Sequence, residues 1–372
     1  MRIVIAPDKF AGTLTAIEAA RAVADGWRSA DPDAETELVP LSDGGPGFVE
    51  VLHAALGGTL VSREVTGPLG TAVTARYLLD GETAYLESAQ ACGLHLVPPE
   101  LRDPGRTTSR GVGELVAAAV ADGARTVVIG LGGSVTNDGG AGMLAALGAT
   151  PRAGLTGGAA PLAALSGPVD LEPARRAVAG VRLVAATDVD NPLLGEHGAS
   201  AVFGPQKGAD PEQVRRLDAA LAAFAAATDP AGPDGGLRDV PGAGAAGGLG
   251  YGLLLLGGTV ESGVARVLAA VGLAGLAAAA DLVITGEGSF DSQSLRGKLP
   301  HGVARTAAAH GVPCLVLAGR VAVDRDEAAA AGVTGSYALI DSAGSVEAAL
   351  ARPAEELRAL AADVARGWRA RP

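Results

Sequence analysis

Oxygen-bearing side chains crowd three glycine-rich stretches of this chain. In GLGGSVTNDGGAG, residues 130–142, Thr136, Asn137 and Asp138 present a hydroxyl, an amide and a carboxylate among glycines. Glycines let a backbone come close to a ligand, and the N–H groups opening a following helix form an anion site. The same hard donors suit Mg2+ and its waters. A helix N-cap also favours Asn or Asp, although capping needs one such residue rather than three. In TDVDNPLLG, Asp188 and Asp190 stand two apart with Asn191 next. Residues two apart face one side of an extended segment, so both carboxylates are placed to meet one metal or one substrate hydroxyl. An Asx turn ahead of Pro192 would use the same residues. In TGEGSFDSQSLRGKLP, Glu287, Asp291 and Lys298 share a loop that is not a P-loop, because Leu299 follows the lysine and the G-x-x-x-x-G-K-[ST] spacing is absent.

Rare residue types fall in the same kinds of place. Of 29 basic residues only Lys9, Lys207 and Lys298 are lysines, and the two asparagines are Asn137 and Asn191. In a chain this rich in Ala, Gly and Arg, an exposed lysine drifts to arginine at little cost. A lysine that must be a compact point charge does not. All three lie in loop-like stretches: PDKFAG, GPQKGA and LRGKLP. Other chemistries lack their residues. G-x-S-x-G is absent, Cys92 and Cys314 have no metal-ligand partners nearby, and His53, His95, His197, His301 and His310 show no zinc spacing. GAGAAG (242–247) matches G-x-G-x-x-G but follows PDGGLRDVP, which is no apolar strand, so no dinucleotide site is expected there. Gly, Asp, Thr and Lys loops without histidine chemistry favour phosphoryl transfer, which relies on positioning and electrostatics.

These loops need a scaffold, and the pattern supplies one. RIVIA reads as a buried strand, Thr15 to Glu18 forms a capping box, and Ala16, Ala20, Val23 and Trp27 continue at helical spacing. TELVP, the loop LSDGGPG and a helix from Phe48 follow. From about residue 60 strand-like runs around Asp80-Gly81 signal a hairpin. Helix–strand alternation returns with SRGVGELVAAAVADG and RTVVIG, and the chain ends in open α/β order from DLVITG onward. The expected fold class is α/β in two domains. Residues 1–61 and 261–372 form a parallel α/β domain from both chain ends, and residues 62–260 form an inserted mixed α+β domain. One oversized sheet is the alternative. Most chemical loops follow strands, where open α/β sheets bind ligands. A net charge of −12 argues against nucleic acid. VLAAVGLAGLAAAA is too short to span a membrane, and MRIVIAPD carries no signal peptide, so a cytoplasmic protein is expected.

IAPDKFAGTLTA, SDGGPG, VTGPLG, GGSVTNDGGAGML, DVDNPL, GASAVFGPQKGA, PGAGAAGGLG and ITGEGSFDSQSLRGKLPHGVA occur in this order over most of the chain. Together they resemble the bacterial glycerate kinase family, type I. The resemblance implies ATP- and Mg2+-dependent phosphorylation of D-glycerate, usually at the 2-hydroxyl to give 2-phosphoglycerate. It also implies a flavodoxin-like domain built from both chain ends and carrying an insertion. Where relatives often read PDSFK, Lys9 stands at the serine position and Ala11 at the lysine position. Either Lys9 reaches the same place from another backbone position or that cation is dispensable. Pro46 and Ser289 also depart from the family pattern and are given no catalytic role.

On that resemblance, Lys9, Lys207 and Lys298 are the candidates for pairing with glycerate's carboxylate, with Arg110 behind them and Asn191 also on the substrate. The triphosphate is expected against Gly132, Gly133, Ser134, Thr136, Asn137 and Gly139, with Gly286 and Gly288 as further contacts. Asp43, Asp188 and Asp291 are the expected metal ligands. Asp190 is expected to take the hydroxyl proton, with Lys9 and Lys298 as catalytic cations. Two domains around one cleft would close to exclude water, in a monomer or homodimer. The rival readings are a non-catalytic sugar-acid sensor of the same fold, and a kinase of a related hydroxy acid such as tartronate or hydroxypyruvate.

Overall fold

Apolar runs of four or five residues at both ends of the chain assemble into one parallel sheet. The structure, a computed structural model, describes residues 1–10, 12–229, 236–295 and 297–369. Ala11 therefore lies outside the described residues. In chain order the strands are β1 (Arg2–Ile5), β2 (Glu35–Leu38), β3 (Thr59–Thr66), β4 (Ala72–Asp80), β5 (Thr83–Glu87), β6 (Thr126–Gly130), β7 (Arg182–Ala186) and β8 (Thr259–Glu261). β9 (Leu282–Thr285), β10 (Ser289–Phe290), β11 (Cys314–Ala318), β12 (Arg320–Val321) and β13 (Gly335–Ala338) follow. The chain divides into two compact units. One comprises Met1–Asp43, Glu50–Leu56 and the chain from Val264 onward; the other comprises Gly44–Val49 and Gly57–Gly263.

In the first unit the sheet order is β13-β11-β9-β1-β2, and every pairing is parallel. Counted along this unit, that is the 2-1-3-4-5 order of a flavodoxin-like fold. β9 and β11 are buried along their whole length, as strands covered by helices on both faces must be. Helix Ala16–Ala30 begins at the capping box that the sequence predicts: Thr15 accepts from the Glu18 N–H, and Glu18 returns the bond to the Thr15 N–H. It packs against helix Pro353–Arg369, with Trp27 fully buried. At Gly26 a Cβ would lie 2.1 Å from the Arg358 carbonyl oxygen, so this crossing admits only glycine.

The second unit holds a six-stranded sheet in chain order, β3-β4-β5-β6-β7-β8. β3, β4 and β5 pair antiparallel, and β5 through β8 pair parallel. The Asp80-Gly81 signal marks the tight hairpin between β4 and β5, where Asp80 pairs with Thr83 and Gly81 has φ 56. The sheets are separate, so the single oversized sheet is not formed. VLAAVGLAGLAAAA is two short helices, Gly263–Ala270 and Leu273–Ala278, separated at Gly272. Among the described residues no helix is long and apolar enough to cross a membrane.

The helix crossing gives the first prediction. Gly26→Ala must push the two helices apart and should destabilise the protein by about 1–3 kcal/mol, read as a lowered urea midpoint with an unchanged slope. An unchanged midpoint would show that the crossing is looser than described.

Candidate active site

In the flavodoxin-like unit, β1 and β9 are neighbours from opposite ends of the chain, and the sheet order reverses between them. Crevices at such reversals, beyond the carboxyl ends of the strands, are where open α/β sheets bind ligands. The loop after β1 carries Asp8 and Lys9, and the loop after β9 carries Glu287. The two are fastened to each other: the Asp8 N–H donates to the Gly286 carbonyl at 2.8 Å, and the Thr285 hydroxyl donates to the Ala6 carbonyl at 2.8 Å. Lys9 Nζ lies 3.0 Å from Asp43 and 3.7 Å from Asp8.

This rim is charged and partly dry. Burial first, then the Asp43 charge, push the Asp8 carboxyl up to about 7, against the pull of Lys9. Burial likewise pushes Glu287 up to about 7, against its Ser294 hydrogen bond and the Lys298 charge. Glu287 Oε1 is buried with no hydrogen-bond partner among the described residues. A buried polar atom in that state is costly unless a ligand or water completes it. Farther along the loop, Asp291 accepts from the Gln293 N–H at 2.9 Å, and Lys298 reaches Gln293 Oε1 at 3.3 Å from its place before helix Leu299–Ala309. Gly288 joins β9's loop to β12, its carbonyl accepting from the Arg320 N–H. Asp8 was not singled out by sequence and Glu287 received no role there. Their available signal was position, each directly beyond a central strand.

In the second unit, β6 runs into the glycine loop 131–140. Asp138 is fully buried and accepts four bonds: from the Ser109 N–H (2.8 Å), the Ser109 hydroxyl (2.9 Å), the Gly140 N–H (3.2 Å) and the Gly142 N–H (3.2 Å). It thus ties the loop to the starts of helices Arg110–Ala121 and Ala141–Leu147. Burial pushes its proton affinity up, opposed by those same donors. Asn137 donates to the Ser200 hydroxyl at 2.9 Å, while its buried Oδ1 has no hydrogen-bond partner among the described residues. Lys207 is 1% exposed; its Nζ lies 2.6 Å from the Thr136 carbonyl and 3.2 Å from the Ser134 hydroxyl. GAGAAG packs on this loop. Gly139 N–H donates to the Gly247 carbonyl at 2.9 Å. Ala246, Gly247 and Gly248 all have positive φ, and a Cβ on Gly247 would lie 1.9 Å from the Thr136 carbonyl oxygen. Those glycines serve a close approach of two backbones.

The remaining sequence-predicted residues are spread over this unit. Asp188 and Asp190 are exposed on the loop after β7, and Asp188 accepts from the Ser262 hydroxyl at 2.5 Å. Asn191 donates to the His197 carbonyl at 2.8 Å. Arg110 pairs along its helix with Glu114 at 2.9 Å. Glu87, buried at the end of β5, accepts the N–H groups of Gly47 and Phe48 and so holds the SDGGPG loop where helix Phe48–Leu56 begins. Among the described residues no group of three or more His, Cys, Asp or Glu is placed to hold a metal ion.

Asp138→Ala would leave buried donors from Ser109, Gly140 and Gly142 without an acceptor. It should cost about 3 kcal/mol or more in urea unfolding; a loss of a few tenths would mean that water replaces the carboxylate.

The chain matches the model of the glycerate kinase family over residues 3–369. It is 44% identical over 375 residues to the glycerate kinase of Haemophilus influenzae, covering 98% of each chain. It is 43% identical over 358 residues to the glycerate 2-kinase of Escherichia coli, covering 94% of this chain and 93% of that one. Its fold is similar to a crystal structure from Salmonella typhimurium LT2 of a protein assigned provisionally as glycerate kinase 2, with TM-score 0.81, 42% identity, and 100% and 98% of the two chains covered. A family match of this extent, on relatives this similar along nearly their whole length, has one meaning: the chain belongs to the glycerate kinase family.

Proposed function

We propose that the protein transfers the γ-phosphoryl group of ATP to the 2-hydroxyl of D-glycerate, with Mg2+, giving 2-phosphoglycerate. Family membership supports the reaction class. The observation that carries the reading is the rim between β1 and β9, where Lys9 lies between Asp8 and Asp43 and, on the loop after β9, one buried carboxylate oxygen of Glu287 has no hydrogen-bond partner among the described residues. Such a rim suits a polar, charged ligand and no apolar one. In the same reading the backbone at Gly133, with Ser134, Thr136 and Asn137, receives the triphosphate, while Gly132 and Gly139, whose N–H groups donate to the Gly44 and Gly247 carbonyls, keep the loop in place.

The donor set fits Mg2+. This ion keeps several waters and binds through one or two carboxylates plus phosphate oxygens rather than in a protein cage. One or two of Asp43, Asp188 and Asp291 would hold it, with waters completing its shell. Bound there, the ion would neutralise charge on the β- and γ-phosphates. Lys9 and Lys298, with Arg110 and Asn191, would orient glycerate's carboxylate. The substrate's 2-oxygen forms the new bond to phosphorus, the bond from phosphorus to ADP breaks, and the hydroxyl proton passes to Asp190, a role that requires hydrogen-bond reach.

The test is a coupled assay with D-glycerate, ATP and Mg2+, the product assigned by phosphorus NMR, run also on Asp190→Asn. The expected results are a 2-phosphoglycerate signal, loss of turnover on chelation of the metal, and a fall in kcat of about a hundredfold in the variant. A 3-phosphoglycerate signal would refute the regiochemistry, and near-normal turnover of the variant would remove Asp190 from its role. Glycerate binding without turnover would favour the sensor, and turnover of tartronate or hydroxypyruvate in preference would reassign the substrate.

A further inference from the structure

Of the three lysines, Lys207 alone is fully buried. Its two hydrogen-bond acceptors among the described residues, the Thr136 carbonyl at 2.6 Å and the Ser134 hydroxyl at 3.2 Å, are neutral oxygens of the glycine loop. Burying an ammonium on neutral acceptors is costly, and an arginine-rich composition offers no reason to keep a lysine here. The Thr136 carbonyl is closed off by Gly247, whose backbone leaves no room even for a Cβ. The carbonyl therefore draws its charged donor from Lys207. A guanidinium, with five donors in a rigid fork, would need more space and more acceptors than two loop oxygens supply.

We infer that Lys207 is a positioning residue, whose buried ammonium fixes the backbone of residues 134–136 so that the glycine loop is held in shape for an anion, and that it does not pair with the substrate's carboxylate. The inference rests on the proposed reading of this loop as the triphosphate site. Among the described residues, the charged and titratable groups facing the ammonium are the Asp138 carboxylate, on the same loop, and the Cys92 thiol, at the end of helix Ala89–Cys92. Burial pushes Lys207 down to about 8, against these two groups, and pushes the Cys92 thiol up to about 12. The ammonium is thus present below about 8 and gives way to a neutral amine above it, a weaker donor to the Thr136 carbonyl.

Two measurements test this together. The first is calorimetry of ATP and of D-glycerate binding, with steady-state kinetics, on the wild type, Lys207→Met and Lys207→Arg. The expected result is ATP affinity weaker by about tenfold or more in Lys207→Met, the loss of one charge-assisted bond, with glycerate affinity within about twofold and no rescue by arginine. Wild-type ATP affinity should fall as pH rises through about 8, and that dependence should be absent from Lys207→Met. Weakened glycerate binding with ATP binding intact, or no change in either, would overturn the inference. The second is NMR of protein labelled with 15N at lysine, in which three side-chain signals suffice, Lys207 being identified through Lys9→Arg and Lys298→Arg. Saturating D-glycerate should leave the Lys207 Nζ signal in place; a shift would show direct contact and overturn the inference, even if Lys207→Met fails to fold. A wild type that binds ATP but does not phosphorylate glycerate would defeat the proposed function and leave the ATP affinities to decide the role of Lys207.

Discussion

Four hydrogen bonds to one carboxylate organise the inserted unit. Asp138 takes donors from Ser109, Gly140 and Gly142, joining the loop after β6 to the beginnings of two helices. Two residues earlier the Thr136 carbonyl takes the Lys207 ammonium. A loop of glycines has many accessible conformations, and fixing it costs more backbone entropy than fixing any other sequence. A buried acid and a buried base, each bonded to this one loop, meet that cost with charge-assisted bonds, which are about twice as strong as neutral ones. The arrangement explains why residues 131–140 hold a defined shape without regular secondary structure.

The flavodoxin-like unit solves a different problem. Its sheet brings β1 and β9, 279 residues apart by the bond from Thr285 to Ala6, side by side, and their following loops meet where the strand order reverses. The result is Lys9 between Asp8 and Asp43, with Glu287 on the adjoining loop, and burial chiefly raises the proton affinity of both Asp8 and Glu287. Within each unit, taken by itself, unusual residues stand directly beyond the carboxyl ends of parallel strands.

Much of the fold was legible in the sequence because it rests on local rules. The Thr15–Glu18 box starts its helix as written, Asp80-Gly81 turns its hairpin, and the apolar runs at 282–285 and 314–318 are buried strands. The site was legible in outline only. Composition marked Asn137 and Lys207 as unusual, and both lie in the buried polar network. It could not say which way they face, because a loop side chain has no periodicity to reveal its direction. Thr136, Asn137 and Asp138 read alike as hard donors, yet Asp138 spends its oxygens inside the protein. That outcome depends on Ser109, 29 residues away, and on packing that no spacing rule records. Lys207 shows the same limit across 71 residues to Thr136. GAGAAG, which imitates a dinucleotide fingerprint, is glycine-rich because its backbone lies against this loop.

This internally pinned loop is the one proposed to receive the nucleotide's phosphates. A crystal structure with a non-hydrolysable ATP analogue tests this most directly. The expected result is phosphate oxygens on backbone N–H groups of residues 133, 134 and 136–138, since those of Gly132, Val135 and Gly139 already donate within the protein, with the Lys207 ammonium still on the Thr136 carbonyl. Phosphates bound elsewhere, or a Lys207 that has left the loop to meet them, would contradict it.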